Sequence, residues 1–184
     1  MEHFWNNIEG WVGDNPTYRM ALEKAQDGQH FVEIGVYKGR SAAFMAVELK
    51  NRGLKIQFDA IDHFKGSAEH GDLSETLYAT CMKNLKSVTD VVNVIKMDSL
   101  EAVNLYKDNS LDFIFLDGSH DYDSVTADLK AWYPKIKKTG IFTGDDYQPG
   151  FWPGVILAVD TFARINQLKV ILIQGTHHWM LIKE

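Results

Sequence analysis

From His30 onward, short apolar runs alternate with longer amphipathic stretches, and the alternation predicts strands separated by helices. His30–Ile34 reads as a strand, Ser41–Asn51 as a helix and Lys55–Ile61 as the next strand. A glycine-bearing loop, Gly66–Gly71, follows, and Ser74 is suited to cap a helix reaching Lys86. Val91–Lys96, Phe113–Leu116 and Gly140–Thr143 are further strands, with helices expected over Leu100–Lys107 and Asp121–Ile136. Pro153 suits the first turn of a helix ending near Ile165. Lys169–Ile173 and Trp179–Ile182 close the chain, and only Gln174–His178 separate them, so they should form an antiparallel hairpin. The repeated order predicts an α/β, Rossmann-like three-layer sandwich whose sheet is mostly parallel.

The first 29 residues follow a different pattern. Phe4, Trp5, Ile8, Trp11 and Val12 fall at helical spacing, and Asp14-Asn15-Pro16 breaks that spacing and can cap a second helix, Thr17–Gln26. Residues 1–29 thus read as a helical extension on a core of residues 30–184, one domain in all. The aromatic stripe is expected to pack on the core; a lid, or a homo-oligomer contact, is the sharper reading.

Composition narrows the field. The chain has 184 residues, enough for one α/β domain with a sizeable core, and its 45% apolar and 24% charged content is ordinary for a globular protein. A net charge of −6 without a basic run disfavours nucleic acid or an anionic membrane as partner. Cys81 is the only cysteine, which fits a reducing, cytoplasmic setting. The N-terminus lacks the basic-then-apolar arrangement of a signal peptide, and no apolar run has the length of a membrane span.

Candidate chemistry gathers at the predicted strand ends. Asp112-Phe113-Ile114-Phe115-Leu116-Asp117-Gly118-Ser119-His120 delivers a carboxylate and then an imidazole, and Gly140–Gly144 ends in Asp145-Asp146. Parallel strands present such groups together at their carboxyl ends, and three carboxylates with one histidine suit a hard divalent cation beside a general base. Helix or loop caps for Asp145 and Asp146, and a backbone contact for His120, are the plain alternatives. Glu33-Ile34-Gly35-Val36-Tyr37-Lys38-Gly39-Arg40-Ser41 joins the first strand to the first helix; Tyr37 stands where a dinucleotide fingerprint needs glycine. Glu33 would repel a pyrophosphate and better suits a cationic amine. Asp62, followed by His63, is placed to accept from ribose hydroxyls. Asp98-Ser99 suits an adenine edge, a helix cap, or both. His177 and His178 fall at the hairpin tip, as surface turn residues or acceptor contacts.

Together, Glu-x-Gly-x-x-x-Gly-x-Ser at 33–41, Asp62, Asp98, Asp-Gly-Ser-His at 117–120 and Gly-Asp-Asp-Tyr at 144–147 resemble class I S-adenosylmethionine-dependent methyltransferases. The best match is the small metal-dependent O-methyltransferase-like group with macrocin-type sugar methyltransferases, and more distantly catechol O-methyltransferase. The resemblance spans roughly residues 30–184 and implies a seven-stranded sheet with an antiparallel last strand. It assigns the cofactor to Glu33, Gly35, Gly39, Ser41, Asp62, His63, Asp98, Ser99 and Asp117, with Glu33 and Gly35 near the methionine moiety and Ser41 near its carboxylate. It assigns a divalent cation, magnesium first, to Asp117, Asp145 and Asp146, and the role of base to His120. Catechol-type relatives often carry lysine and asparagine at the positions of His120 and Asp146, so the match favours the sugar-type branch. The implied activity is O-methylation of a small hydroxylated acceptor, such as a sugar or natural product. A nucleotide-dependent oxidoreductase, which Tyr37 disfavours, and a non-catalytic binding protein are the alternatives.

Overall fold

Alternate residues of the central strands point to opposite faces of the sheet, so each strand feeds two cores at once. In the computed structural model, which describes residues 1–66 and 75–183, seven strands form one sheet in the order β3-β2-β1-β4-β5-β7-β6. They are β1 (His30–Ile34), β2 (Gln57–Asp62), β3 (Val92–Lys96), β4 (Leu111–Leu116), β5 (Ile136–Gly144), β6 (Leu168–Leu172) and β7 (Trp179–Lys183). Strands β1 to β5 pair in parallel, and β7 lies antiparallel between β5 and β6. Helices α1 (Pro16–Glu23), α2 (Arg40–Arg52) and α3 (Leu77–Asn84) pack with Phe31, Phe58, Phe113 and Phe115 on one face. Helices α4 (Ser99–Ala102), α5 (Tyr122–Trp132) and α6 (Pro153–Asn166) pack with Val32, Ile114, Phe142 and Trp179 on the other. Burying each of these large side chains is worth roughly 1.5–3 kcal/mol. Among the described residues, no helix is long and apolar enough to cross a membrane.

The expected strands, sheet topology and closing hairpin are all present. Three expectations need correction. The N-terminal aromatic stripe forms only a single 3-10 turn, Trp5–Asn7, instead of a helix. Gly10 takes a φ of 149°, and Gly13 lies against the Trp5 ring, where a Cβ would sit 2.4 Å from it, so the chain turns instead of coiling. The helix expected over Leu100–Lys107 shortens to Ser99–Ala102 plus a 3-10 turn, because Tyr106 leaves helical geometry and donates to buried Asp59 at 2.9 Å. The helix expected to reach Ile136 ends at Trp132, and Pro134 sits in the 3-10 turn that follows. The predicted Ser74 cap and most of the Gly66–Gly71 loop lie outside the described residues.

What the fold positions is the carboxyl edge. Registers pair Ile34 with Ile61 and Leu116, and Leu116 with Gly144, so these strands end in line. The ladder runs one residue further: Gly35 donates to Ile61 O at 2.9 Å, Asp117 to Ile34 O at 2.8 Å and Asp145 to Leu116 O at 3.1 Å. Gly35, at φ 87°, faces the Asp117 carbonyl so closely that a Cβ would lie 1.8 Å from its oxygen. Gly35→Ala should therefore cost about 3 kcal/mol of stability through strain at this junction. Chemical denaturation checks this; a change within the range of ordinary surface substitutions would refute the close approach.

Candidate active site

A cavity of about 1030 Å³ opens along this carboxyl edge, from the end of β3 to the end of β5, with residues 10–16 as a side wall. Its floor is the turn after β1. Asp62, at the end of β2, accepts from the Val36 and Tyr37 N–H groups through Oδ2, both at 2.9 Å, and from Phe64 N–H through Oδ1 at 2.7 Å. The carboxylate thus clamps the glycine turn and still lines the cavity. His63 beside it accepts from Lys65 N–H at Nδ1, at 2.9 Å. Gly35 and Ser41 line the cavity, Gly39 caps α2 against Leu85, and Glu33 is buried beside Ser41. Glu33 is fully buried and accepts from the Ser41 hydroxyl, while its other oxygen has no hydrogen bond. Burial above all, with the Asp62 charge, pushes Glu33 up to about 7 against the pull of Ser41 and Tyr18. The Tyr18 hydroxyl, which faces it, forms no hydrogen bond of regular geometry.

At the β3 end, Asp98 caps α4 by accepting from Leu100 N–H at 3.0 Å. Ser99 donates to Asp128 of α5 and accepts from Trp132 Nε1 at 2.8 Å. Asp128 lines the cavity although it is only 8% exposed. Burial, followed by the charges of Asp98 and Asp121, pushes it up to about 6, and Ser99 partly offsets this.

At the other end, Asp117, His120 and Asp146 bring ligand atoms within 4.8 Å of one another. His120 Nε2 lies 2.8 Å from Asp146 Oδ2, and its ring stacks on Trp152 at 4.1 Å between centroids. Asp146 holds a left-handed φ of 65°, which aspartate tolerates better than most residues. Asp145 leaves the expected trio of carboxylates: its Oδ2 is 3.5 Å from His178 Nε2, so His120 takes its place in the cluster. Burial would raise the Asp145 carboxyl, yet the hydrogen bond and charge of His178 hold it below the ordinary range. Asp117 goes the opposite way, pushed well above that range by burial and then by Asp145 and Asp146. Carboxylates crowded this closely, with an imidazole, are a donor set that fits a divalent cation.

Reading strand ends alone missed several cavity residues. Asp128 and Trp152 sit in or beside helices, where an acid or aromatic gives no local signal. Asn15 looked like a helix cap, and it is one, accepting from Tyr18 N–H at 2.8 Å, but it also lines the cavity. His177 and His178 do reach the cavity wall.

The family described as Methyltransferase domain matches residues 32–147. An uncharacterized protein of Acanthamoeba polyphaga mimivirus is 29% identical over 139 residues, covering 73% of this chain and 59% of that protein. An uncharacterized protein of Sinorhizobium fredii is 25% identical over 139 residues, covering 76% of this chain and 15% of that protein. The chain therefore spans less than two thirds of either relative. Among solved structures, the O-methyltransferase NovP is similar with a TM-score of 0.70 at 18% identity, over 91% of this chain and 78% of its own. CalS11, a calicheamicin methyltransferase, is similar with a TM-score of 0.67 at 19% identity, over 90% and 75%. At such identities the likeness establishes the Rossmann-like methyltransferase fold.

Glu33 offers a direct check on the electrostatics of the site. Its folded value lies above the ordinary 4.5, so its contribution to stability is whole below that pH and is lost as pH rises through about 7. Wild type should lose up to about 3 kcal/mol across this window relative to Glu33→Gln. Denaturation at several pH values measures the difference; a gap that stays constant with pH would refute it.

Proposed function

The chain belongs to the methyltransferase domain family, and from that premise we propose that it moves a methyl group from S-adenosylmethionine to a hydroxyl oxygen of a small acceptor, beside a divalent cation. The observation that carries this reading is the row of acids at one edge: Asp62 on the glycine turn, then Asp117, Asp146 and His120, all in one cavity. The cofactor would supply an electrophilic methyl, and the cation, magnesium first, would lower the pKa of the acceptor hydroxyl.

The chain's own residues do the rest. Asp62 fixes the turn that approaches the cofactor and keeps one lone pair, on Oδ1, for a ribose hydroxyl. Asp117 and Asp146 would hold the cation, with Asp145 at the same edge. His120 takes the acceptor's proton, its imidazole oriented by Asp146 and held flat by Trp152. With the methyl supplied by the cofactor, the acceptor's proton would be left on His120. Gln148, Thr176 and His177 make the acceptor end polar, which suits a hydroxylated molecule over an apolar one. CalS11 is described as a TDP-rhamnose 3'-O-methyltransferase, which supports a sugar-type acceptor here as well. One observation favours a second role for His120: its 2.8 Å contact with Asp146 would also suit a metal ligand.

Titration calorimetry with S-adenosylhomocysteine, with and without magnesium and against NAD, tests the core of the reading. Binding of S-adenosylhomocysteine and not NAD is expected, together with a magnesium response that Asp146→Asn abolishes. Preference for NAD would overturn the cofactor assignment, and a magnesium response untouched by Asp146→Asn would overturn the metal assignment. His120→Ala should cut turnover by about two to four orders of magnitude with magnesium affinity intact, and should remove the rise of rate with pH. Loss of magnesium binding in that variant would identify His120 as a ligand instead of the base.

A further inference from the structure

The acceptor end of the cavity carries charge of one sign. Asp117, Asp121, Asp145 and Asp146 line it, whereas Arg40 is the one lysine or arginine among the described lining residues of the whole cavity. Arg40 heads α2 and is engaged by the N-terminal segment: it donates to Ile8 O at 2.6 Å, and its guanidinium lies 4.8 Å from the Trp5 ring centre. Residues 67–74, outside the described residues, contain neither lysine nor arginine. A dication held by Asp117 and Asp146 would cancel two of the four carboxylate charges and leave two. Asp121 is the acid here whose only task so far is a helix cap. Its Oδ1 accepts from Ser124 N–H at 2.9 Å, and that bond above all holds its carboxyl below the ordinary range. Its main chain lies against Gly154 at the start of α6, where a Cβ would sit 3.1 Å from the Asp121 carbonyl carbon, so it stands on the same turn as His120 and close to Trp152.

A second, independent feature of this end calls for a hydrogen-bond donor. His178 is 6% exposed and lines the cavity, its Nε2 is 3.5 Å from Asp145 Oδ2, and its Nδ1 has no hydrogen bond. With the ring proton on Nε2, toward Asp145, Nδ1 is a bare acceptor. Thr176 beside it has no proton to give, since its hydroxyl donates to Ile173 O at 2.8 Å and accepts from His178 N–H at 3.1 Å. This part of the wall accepts hydrogen bonds and offers none, the complement of a protonated amine with its three N–H donors.

We infer that the acceptor is a hydroxylated amine, such as an amino sugar, whose ammonium group is drawn to Asp121, and that a sugar carried on phosphate is a poor substrate. The inference rests on the methyl-transfer reading above and narrows its acceptor. In a cleft lined by one sign of charge the field acts on every ligand that enters, so the sign of the ligand decides. A diphosphate of the kind carried by TDP-rhamnose, named for CalS11, would meet acids here and no lysine or arginine. The two chains would then share sugar-type chemistry and differ in what the sugar carries.

Calorimetry on the full chain, preloaded with S-adenosylhomocysteine and magnesium at neutral pH, tests this with three sugars that differ only at carbon 6: 6-amino-6-deoxyglucose, glucose and glucose 6-phosphate. Affinity should fall in that order, by about 10-fold or more from first to last. Asp121→Asn keeps the helix cap and should weaken the amine by about 2- to 5-fold, with glucose, S-adenosylhomocysteine and magnesium affinities unchanged. Equal affinities, the reverse order, or binding of none of the three by a chain that takes up S-adenosylhomocysteine and magnesium would overturn the inference. So would an amine affinity that Asp121→Asn leaves intact. If that variant does not fold, the wild-type order decides alone. Failure to take up S-adenosylhomocysteine or magnesium would instead remove the reading on which the inference stands.

Discussion

Everything at the site depends on where the parallel ladder stops. β1, β4 and β5 end level, and the main-chain bonds continue one residue past them, to Gly35, Asp117 and Asp145. Met97 is tied to Asp62 in the same way at 3.0 Å. The residues after these strands are thus placed by backbone hydrogen bonds between neighbouring strands, and side-chain contacts such as Asp145 with His178 then set their orientation. This lets a chemically unfavourable group be held in place, because the ladder, supported by two apolar layers, meets the cost.

That cost is electrostatic. Asp117, Asp145, Asp146, Glu33 and Asp62 crowd one region of a chain that already carries a net charge of −6. The protein relieves some of these charges and leaves others strained. Asp62 is fed by three backbone N–H groups, and Asp145 is held by His178. Asp117 and Glu33 receive too little and shift toward the neutral form. Perturbed acids gathered at one edge of the sheet are a pattern that functional sites share. The His30, Tyr106 and Asn93 bonds around Asp59, at the opposite end of the sheet, show the contrast: that buried carboxylate is satisfied, and burial notwithstanding it is held below its ordinary range.

The strands and the acids that follow them were legible in the sequence because both are local signals. Phe31-Val32 and Phe113 to Leu116 are apolar runs bounded by polar residues, and a carboxylate after such a run is visible by position alone. What remained hidden depends on pairs far apart in the chain. Asp145 meets His178 only because β7 inserts antiparallel beside β5. Spacing puts Trp5 on one face of a helix, but Phe44 receives it from α2, and the glycines at 10 and 13 shape the turn around that contact. Helix ends were misjudged for a related reason: Tyr106 abandons the helix for Asp59, 47 residues away. Periodicity cannot register a competitor that arrives from another element.

The segment from Asp117 to Trp132 carries the two ends of the cavity on one continuous unit of strand, turn and helix. Asp117 and His120 stand at the acid cluster, Asp121 caps α5 by accepting from Ser124 N–H at 2.9 Å, and Asp128 and Trp132 lie two and three turns on, under the β3 end. Asp128 Oδ2 lies 3.9 Å from where a Cβ on Gly118 would be, so the helix approaches the turn there. The Asp121 cap at one end of α5 and the Trp132 bond to Ser99 at the other tie this helix to both ends of the cavity.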